Sequence, residues 1–265
     1  MDTLQAIILG VVQGLTEFLP ISSSAHLVLF PKLLHWKDPG LAFDVALHMG
    51  TLVAILFYFR KDWVSMFPTS LSLKKVDKTL IYLIIATIPA AILGFAFESV
   101  VEEYFRSSIL IAFSLMIFGA LLLYADNPFR KQKKYSTIEL RSALLIGLAQ
   151  SLAIIPGVSR SGITITAALL LGLRRADAVR FSFLLSAPII AGAGILKSKE
   201  LFNVLSQGGQ LAESVALGFL ASLVFGFFAI WMLNKIIKTR TFLVFGVYRI
   251  LFGLLLIFLA VQNKI

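Results

Sequence analysis

The sequence has no cysteine, only three histidines, and only 14 acidic residues among 265 positions. Without cysteine the chain has no disulfide and no thiolate metal site. Charged residues make up 14% of the chain, whereas an average soluble domain has roughly 25%. The first three residues, Met1-Asp2-Thr3, lack the basic stretch that opens a signal peptide, so no cleavage is expected.

Apolar residues are present in large excess. They make up 58% of the chain, and the mean hydropathy is +0.91, which predicts a polytopic membrane protein. The net charge of +10 is compatible with a nucleic-acid partner, but basic residues also collect in the cytoplasmic loops of membrane proteins. The second explanation fits the hydropathy, so we expect a membrane lipid environment and no nucleic acid.

Six stretches predict transmembrane helices, since a helix needs about 20 apolar residues to cross a bilayer. The span 181–196 is shorter and contains Pro188, but it follows the basic residue Arg180. The six predicted spans are 41–59, 79–97, 108–125, 181–196, 212–233 and 242–262.

Two further regions have short apolar runs around a polar break. In the first, apolar residues 3–12 precede QGLTEFLPISSSAH at 13–26 and a short run at 27–31. In the second, 142–155 precede PGVSRSG at 156–162 and a run at 163–173. Each region predicts a re-entrant helical hairpin, which is tolerated at membrane depth only where protein or a water-filled cavity covers the exposed backbone.

The two halves of the chain repeat one another at offsets of 136 to 138 residues. The matches are Gln13-Gly14-Leu15 with Gln150-Ser151-Leu152, Pro20–Ser24 with Pro156–Ser161, and Phe43–His48 with Phe181–Ser186. We therefore expect an all-α polytopic membrane protein of one domain, 1–265, with a first repeat at 1–125 and a second at 141–262. Three spans per half, an odd number, predict that the second repeat is inverted.

Basic residues distinguish the two sides of this predicted topology. Loops 60–78, 126–140, 174–180 and 234–241 carry fifteen lysines and arginines, whereas loops 31–40, 98–107, 197–211 and 263–265 carry six. Positive residues favour the cytoplasmic side. The first set is therefore predicted to be cytoplasmic, and the first hairpin is predicted to enter from the outer face.

Glu17 and Arg160 are charges at the two polar breaks. A charge at membrane depth costs about 2.5–3.5 kcal/mol even on the lenient insertion scale, so it is usually paired or functional. In the structural interpretation, the two residues pair and lock the hairpins together. In the functional interpretation, the Arg160 guanidinium binds phosphate in a bidentate manner.

The residues around these charges favour phosphate chemistry. Ser159 and Ser161 flank Arg160, and Gly157 and Gly162 let backbone N–H groups approach an anion. The first break offers a serine nucleophile and a histidine acid or base, from Ser22, Ser23 and His26. A carboxylate beside a phosphate predicts a bridging Mg²⁺ or Ca²⁺, with Glu17 as ligand and Gln13 as a second candidate. Asp44 and His48 lie within an apolar span and are weaker candidates.

The two breaks together closely resemble the signature motifs of the undecaprenyl-diphosphate phosphatase family of the bacitracin-resistance type. The first family motif is Glu or Gln, three residues, Glu, then Phe-Leu-Pro, a small residue, Ser-Ser and a His. The second is Pro-Gly-x-Ser-Arg-Ser-Gly. The resemblance runs over essentially the whole chain and includes RFSFLLSAP at 180–188. Gln13 stands where many members have Glu, and Asp44 is one methylene shorter than the Glu common there.

The resemblance implies a cell-wall enzyme of the bacterial plasma membrane. It would remove the terminal phosphate of undecaprenyl diphosphate in a site open to the outer, periplasmic face, with a divalent cation. The motif positions carried over are Gln13, Glu17, Ser22, Ser23, His26, Ser159, Arg160 and Ser161. A homodimer is compatible with this plan.

The mechanism expected from the sequence has Ser23 as nucleophile, His26 managing the proton, and Arg160 holding the phosphates. His26 as the nucleophile and a cation-activated water are alternatives that the sequence leaves open. The alternative function is a polyprenyl-phosphate transporter, because inverted repeats with broken helices are also a transporter architecture.

Overall fold

The computed structural model describes residues 2–67, 77–127, 138–206 and 208–262. It is 83% helical and has no strand within those ranges. The α-helices described there are α1 (Thr3–Phe18), α2 (Ser23–Leu33), α3 (Leu41–Tyr58), α4 (Arg60–Met66), α5 (Lys78–Tyr104), α6 (Ser108–Ala125), α7 (Leu140–Ser151), α8 (Arg160–Leu170), α9 (Arg175–Leu196), α10 (Ser198–Ser206), α11 (Gly209–Ile236) and α12 (Leu243–Val261). A 3₁₀ turn, Leu152–Ile154, follows α7.

The prediction of an all-α protein with six membrane-spanning helices is confirmed. In the described residues, α3, α5, α6, α9, α11 and α12 are long and apolar enough to cross a bilayer. Helix α9 begins at Arg175, six residues before the predicted start at 181. Asp177 lies in its first turn, where a carboxylate is favourable near the positive end of the helix dipole. The short helices α4 and α10 lie in segments that the prediction treated as loops.

The two predicted hairpins are pairs of short helices, α1 with α2 and α7 with α8, and each pair is in contact. With 16 residues, α1 is about 24 Å long, less than the ~30 Å hydrocarbon core. Helix α1 extends beyond the apolar run 3–12 to Phe18, so it includes the first polar residues of the break. Gln13 and Glu17 are four residues apart and hydrogen-bonded at 3.0 Å, so they lie on one polar face of this helix.

The second helix of each hairpin begins with the same unusual geometry. Ser22 caps α2 at φ 76°, and Ser159 caps α8 at φ 70°, both in the left-handed region. Each serine hydroxyl accepts a backbone N–H three residues later, from Ala25 at 3.4 Å and from Gly162 at 3.1 Å. The two serines are 137 residues apart (159 − 22), within the range of the sequence repeat. The inverted repeat and its boundaries stay a prediction.

Each hairpin packs on helices from the other half of the chain. Helix α1 packs on α11, and α7 packs on α5, while α6 contacts α12 and α3 contacts α9. The α1–α11 contact depends on glycine, because a Cβ at Gly10 would lie 2.3 Å from the backbone oxygen of Gly218. This close packing fixes the depth and rotation of α1, and therefore the direction in which Glu17 points.

Ion pairs join loops that were predicted to share a side. Arg175 contacts Asp126 at 2.5 Å and Arg180 pairs with Asp62, all in or beside the predicted cytoplasmic loops. In the predicted outer loops, Arg106 contacts Asp38 at 3.0 Å. Several basic residues of the charge count lie outside the described residues, namely Lys74, Lys75, Arg130, Lys131, Lys133, Lys134 and Lys264.

Candidate active site

A cavity of about 480 Å³ lies between the two hairpin breaks and helices α3, α5 and α9. Its lining combines polar side chains from the hairpins with apolar side chains from α5 and α9. Four predicted site residues line it together, namely Glu17, Ser23, Ser159 and Arg160. The structure therefore brings residues that are 143 positions apart in sequence onto one surface (160 − 17).

Glu17 is the centre of the polar network. Its Oε1 accepts a hydrogen bond from Arg160 Nη2 at 2.9 Å, and its Oε2 accepts one from Ser23 Oγ at 2.6 Å. Gln13 Nε2 donates to the same Oε2 at 3.0 Å, and His48 Nε2 lies 3.4 Å from it. The carboxylate is 6% exposed, and the guanidinium compensates its charge.

Arg160 and Ser23 are the first residues of α8 and α2, so two helix N-termini meet at the cavity. Arg160 Nη1 donates to the backbone oxygen of Ser182 on α9 at 2.9 Å, which orients the planar guanidinium from a second side. Unpaired N–H groups and helix dipoles at N-termini favour an anion. The arrangement suits a phosphate group placed between Arg160 and Ser23.

Other predicted site residues are buried behind this surface. The Ser161 hydroxyl donates to the backbone oxygen of Leu19 at 3.1 Å, and the Gly162 N–H donates to Ser159 Oγ at 3.1 Å. The Ser22 hydroxyl contacts that of Ser24 at 3.2 Å. These groups build the two breaks in the described conformation. Substrate contact by Ser22, Ser161, Gly157 and Gly162 stays a prediction.

His26 is buried between the first break and α12. Its Nδ1 contacts the backbone oxygen of Ser22 at 2.7 Å, and its Nε2 contacts the Tyr248 hydroxyl at 2.7 Å. Its ring stacks on those of Tyr248 and Phe252, with centroids 5.9 and 5.1 Å apart, and the residue is 3% exposed. Both ring nitrogens are therefore engaged with the fold. A role for His26 as acid or base stays a prediction.

The structure adds two residues to the cavity that the predicted site did not include. Asp44 and His48 are one helical turn apart on α3, and both line the cavity. His48 Nδ1 bonds to the backbone oxygen of Asp44 at 2.7 Å, which aims Nε2 at Glu17. The sequence signal for Asp44 and His48 was their position as polar residues inside an apolar span. Arg249 was missed as well, although it is a charge inside the predicted span 242–262.

The oxygen donors of the cavity fit a hard divalent cation. Glu17 and Asp44 supply carboxylates, and Ser23 and Ser24 supply hydroxyls. The buried Oε1 of Gln13 has no hydrogen-bond partner among the described residues, but Gln13 does not line the cavity. Within those residues no three His, Asp or Glu side chains cluster as a metal site. Mg²⁺ typically takes one or two carboxylates and completes its shell with water and substrate phosphates, which fits this set.

The chain is similar to known proteins over nearly its whole length. The family described as Bacitracin resistance protein BacA matches residues 6–255. Relatives named undecaprenyl-diphosphatase include that of Geotalea daltonii, 49% identical over an alignment of 265 positions, gaps included, in which 96% of this chain and 97% of the relative are covered. That of Geobacter sulfurreducens is 48% identical over 260 residues, 96% of each chain.

The undecaprenyl-diphosphatase of Caldicellulosiruptor bescii is 47% identical over 252 residues, and 94% of each chain is covered. These matches extend over nearly the whole length of both proteins, so they include both hairpins and all six spanning helices. The chain therefore belongs to the bacitracin resistance protein BacA family.

Proposed function

We propose that the chain is an integral membrane phosphatase that hydrolyses undecaprenyl diphosphate to undecaprenyl phosphate and inorganic phosphate. This reaction recycles the lipid carrier of bacterial cell-wall synthesis. The observation that carries the proposal is the Ser23–Glu17–Arg160 cluster on the cavity wall, with contacts of 2.6 and 2.9 Å. The relatives named undecaprenyl-diphosphatase support the same substrate.

The two parts of the substrate match different surfaces of the cavity. Arg160 and the N-termini of α2 and α8 suit the diphosphate. Phe95 on α5 and Ile189 on α9 belong to the apolar lining, which suits the first isoprene units of the tail. The rest of the polyprenyl chain stays in the lipid, since a cavity of about 480 Å³ has the size of an ordinary small-ligand site.

The first chemical step is attack by Ser23. Its hydroxyl already donates to Glu17 Oε2, so the proton moves to this carboxylate as Oγ bonds to the terminal phosphorus. The bridging P–O bond breaks, and undecaprenyl phosphate leaves with the electron pair. Arg160 balances the charge on the transferred phosphoryl group. Glu17 is thus the proton acceptor as well as the partner of Arg160.

The second step releases phosphate from serine. Water attacks the phosphorus and the Oγ–P bond breaks. Ser23 Oγ takes back the proton held by Glu17, and both water hydrogens leave with the phosphate as H₂PO₄⁻. Ser23 is favoured over His26 as nucleophile because Ser23 lines the cavity, whereas His26 is 3% exposed with both nitrogens bonded to the fold.

A divalent cation, Mg²⁺ or Ca²⁺, would be held by Glu17, with Gln13 as a second ligand, and would supply charge neutralisation on the phosphates. The substitution Glu17→Gln should weaken the binding of this cation, because the neutral amide binds a hard cation poorly. We expect the Mg²⁺ concentration for half-saturation of binding to rise about tenfold or more. Titration of Mg²⁺ binding to the purified protein checks this independently of catalysis, with Glu213→Gln on the exposed surface of α11 as control. An unchanged titration would remove Glu17 from the ligand set.

We also propose that the protein lies in the bacterial plasma membrane with the cavity open to the outer face. Support comes from Arg106 and Lys197, which line the cavity and belong to loops with few basic residues. Cations at this position suit the approach of an anionic lipid head group. A homodimer stays a prediction.

Phosphate release from undecaprenyl diphosphate tests the function directly. The purified protein in detergent, with Mg²⁺ or Ca²⁺, should release inorganic phosphate, and Ser23→Ala should reduce release by at least about 10³-fold. Detergent removes the two compartments that a transporter needs, so release there supports the enzyme. No release from the wild type at any pH between 5 and 9 would contradict the proposal and favour transport.

A further inference from the structure

Arg249 on α12 is a fully buried charged residue in a membrane-spanning helix. Its Nη2 donates to the backbone oxygens of Gly157 at 2.9 Å and Val158 at 2.8 Å, in the break of the second hairpin. Its Nη1 donates to the backbone oxygen of Pro20 at 3.4 Å, in the break of the first. One guanidinium therefore bonds to both hairpins.

The acceptors occupy equivalent positions in the two breaks. Pro20 stands two residues before the capping Ser22, and Gly157 stands two residues before the capping Ser159. Their separation of 137 residues (157 − 20) equals that of the two serines (159 − 22). Counted back from the capping serines, Arg249 thus contacts the same position in both breaks.

The bonds of Arg249 explain why a charge is buried here. Carbonyls in a helix break have lost their helical partners and need other donors at membrane depth. Among the described residues no acidic side chain forms an ion pair with Arg249, and a buried charge without such a partner is costly. An apolar residue would fill the same volume at less cost but would leave the carbonyls without donors.

Glycines around Arg249 leave the space that its side chain occupies. A Cβ at Gly162 would lie 2.6 Å from Arg249 Nη1, and a Cβ at Gly119 on α6 would lie 2.9 Å from Arg249 Cβ. Gly162 is the last residue of the PGVSRSG segment. Its lack of a side chain is therefore explained by the space that the guanidinium needs.

We propose that Arg249 is a positioning residue that holds the two hairpin breaks in register, so that Ser23 and Glu17 face Arg160. Fixing Pro20 and Gly157 fixes the capping serines, and Ser23 and Arg160 directly follow those serines in the chain. The inference rests on the proposed phosphatase function. It assigns to α12 a role in catalysis without contact to substrate.

The test compares Arg249→Met with Arg174→Met, the same change at an exposed arginine near the predicted cytoplasmic loops. Methionine has a similar length but no donors. We expect kcat of Arg249→Met to fall about 100-fold, because a misplacement of about 1 Å has an effect of this size. KM should stay within about threefold, since Arg160 keeps its own bond to the backbone oxygen of Ser182, and Arg174→Met should keep both constants. Arg249→Lys retains the charge but cannot bond to both breaks, so its kcat should fall at least about tenfold.

A double-mutant comparison separates positioning from general destabilisation. Adding Arg249→Met to Ser23→Ala should lower the residual rate less than about threefold, because the nucleophile to be positioned is already absent. An equal 100-fold loss in both backgrounds would contradict the inference. A normal kcat in folded Arg249→Met would also contradict it. If the methionine variant does not fold, a normal kcat in folded Arg249→Lys would contradict it instead. Absence of hydrolysis by the wild type would instead contradict the proposed function.

Discussion

At the scale of single residues, the site is an arrangement of hydrogen bonds around one carboxylate. Glu17 accepts from a guanidinium, a hydroxyl and an amide, each at 3.0 Å or less. Such a network holds its members in fixed geometry before substrate arrives, which is what electrostatic preorganisation requires. The roles of its members can therefore be separated by conservative substitutions.

Arg160→Lys tests the planar clamp. Arg160 uses two nitrogens for Glu17 and the Ser182 backbone, and an ammonium cannot reproduce this fork. We expect kcat/KM for phosphate release to fall by about 100-fold or more. The exposed Arg174→Lys serves as the matched control and should keep wild-type activity. Near-normal turnover of Arg160→Lys would contradict its role in binding phosphate.

His48→Asn tests a weaker candidate of the sequence analysis that the structure places on the cavity wall. Asparagine is too short to reach Glu17, so the 3.4 Å contact is lost. We expect about a tenfold fall in kcat/KM, the effect of roughly 1.4 kcal/mol, which is the size of one hydrogen bond. His35→Asn, at an exposed position with φ 53°, is the control, because asparagine tolerates that conformation. Equal activity of both variants would exclude His48 from the site.

At the scale of helices, the hairpins supply the polar chemistry and the spanning helices supply the apolar walls. Glycines on two of these helices leave open space beside the cavity. A Cβ at Gly192 on α9 would meet no atom within 4 Å, and one at Gly94 on α5 would meet only Ile154, at 4.0 Å. Both residues line the cavity. The space beside them is the proposed path of the first isoprene units.

Gly192→Leu should narrow this path without disturbing helix packing, since leucine favours a helix more than glycine does. We expect kcat/KM for undecaprenyl diphosphate to fall about tenfold, with a smaller loss for a short farnesyl diphosphate. Steady-state assays with both substrates measure the difference. Ala96→Leu, on the exposed surface of α5, is the matched control. Equal losses for both chain lengths would place the tail elsewhere.

At the scale of the whole molecule, helices of each half of the chain pack on the hairpin of the other half. Helix α1 packs on α11, α7 packs on α5, and Arg249 of α12 bonds to both breaks. Interlocking of this kind makes the site depend on the complete chain, because neither half contains both Glu17 and Arg160. The predicted inverted repeat is the simplest account of such reciprocal contacts.

The predicted sidedness can be tested with single cysteines, because the chain has none of its own. Lys37→Cys and Lys61→Cys are both exposed, but they belong to loops predicted to lie on opposite sides. In intact cells, a membrane-impermeant maleimide should label position 37 and leave position 61 unlabelled until the cells are opened. The reverse pattern would place the cavity on the cytoplasmic side.

Local composition was enough to predict the six spans and the two breaks, and the motifs at the breaks supplied Glu17, Ser23, Ser159 and Arg160 of the cavity wall. Hydropathy is summed over neighbouring residues, so the ends of α3, α6 and α12 differ from the prediction by no more than one residue. Hydropathy alone does not identify the partners of residues 13–18, whose polar side chains form the inner face of a helix. There the partner groups come from α8 and α3, which are remote in sequence.

The sequence by itself determined that this chain is a membrane protein with two polar breaks, since the cost of placing charge and bare backbone in lipid depends on local residue type. Only the tertiary structure decided which side chains meet. It turned His26 towards Tyr248, His48 towards Glu17 and Arg249 towards the breaks. Those directions depend on how closely helices approach and how they are rotated, and contacts between distant segments set both.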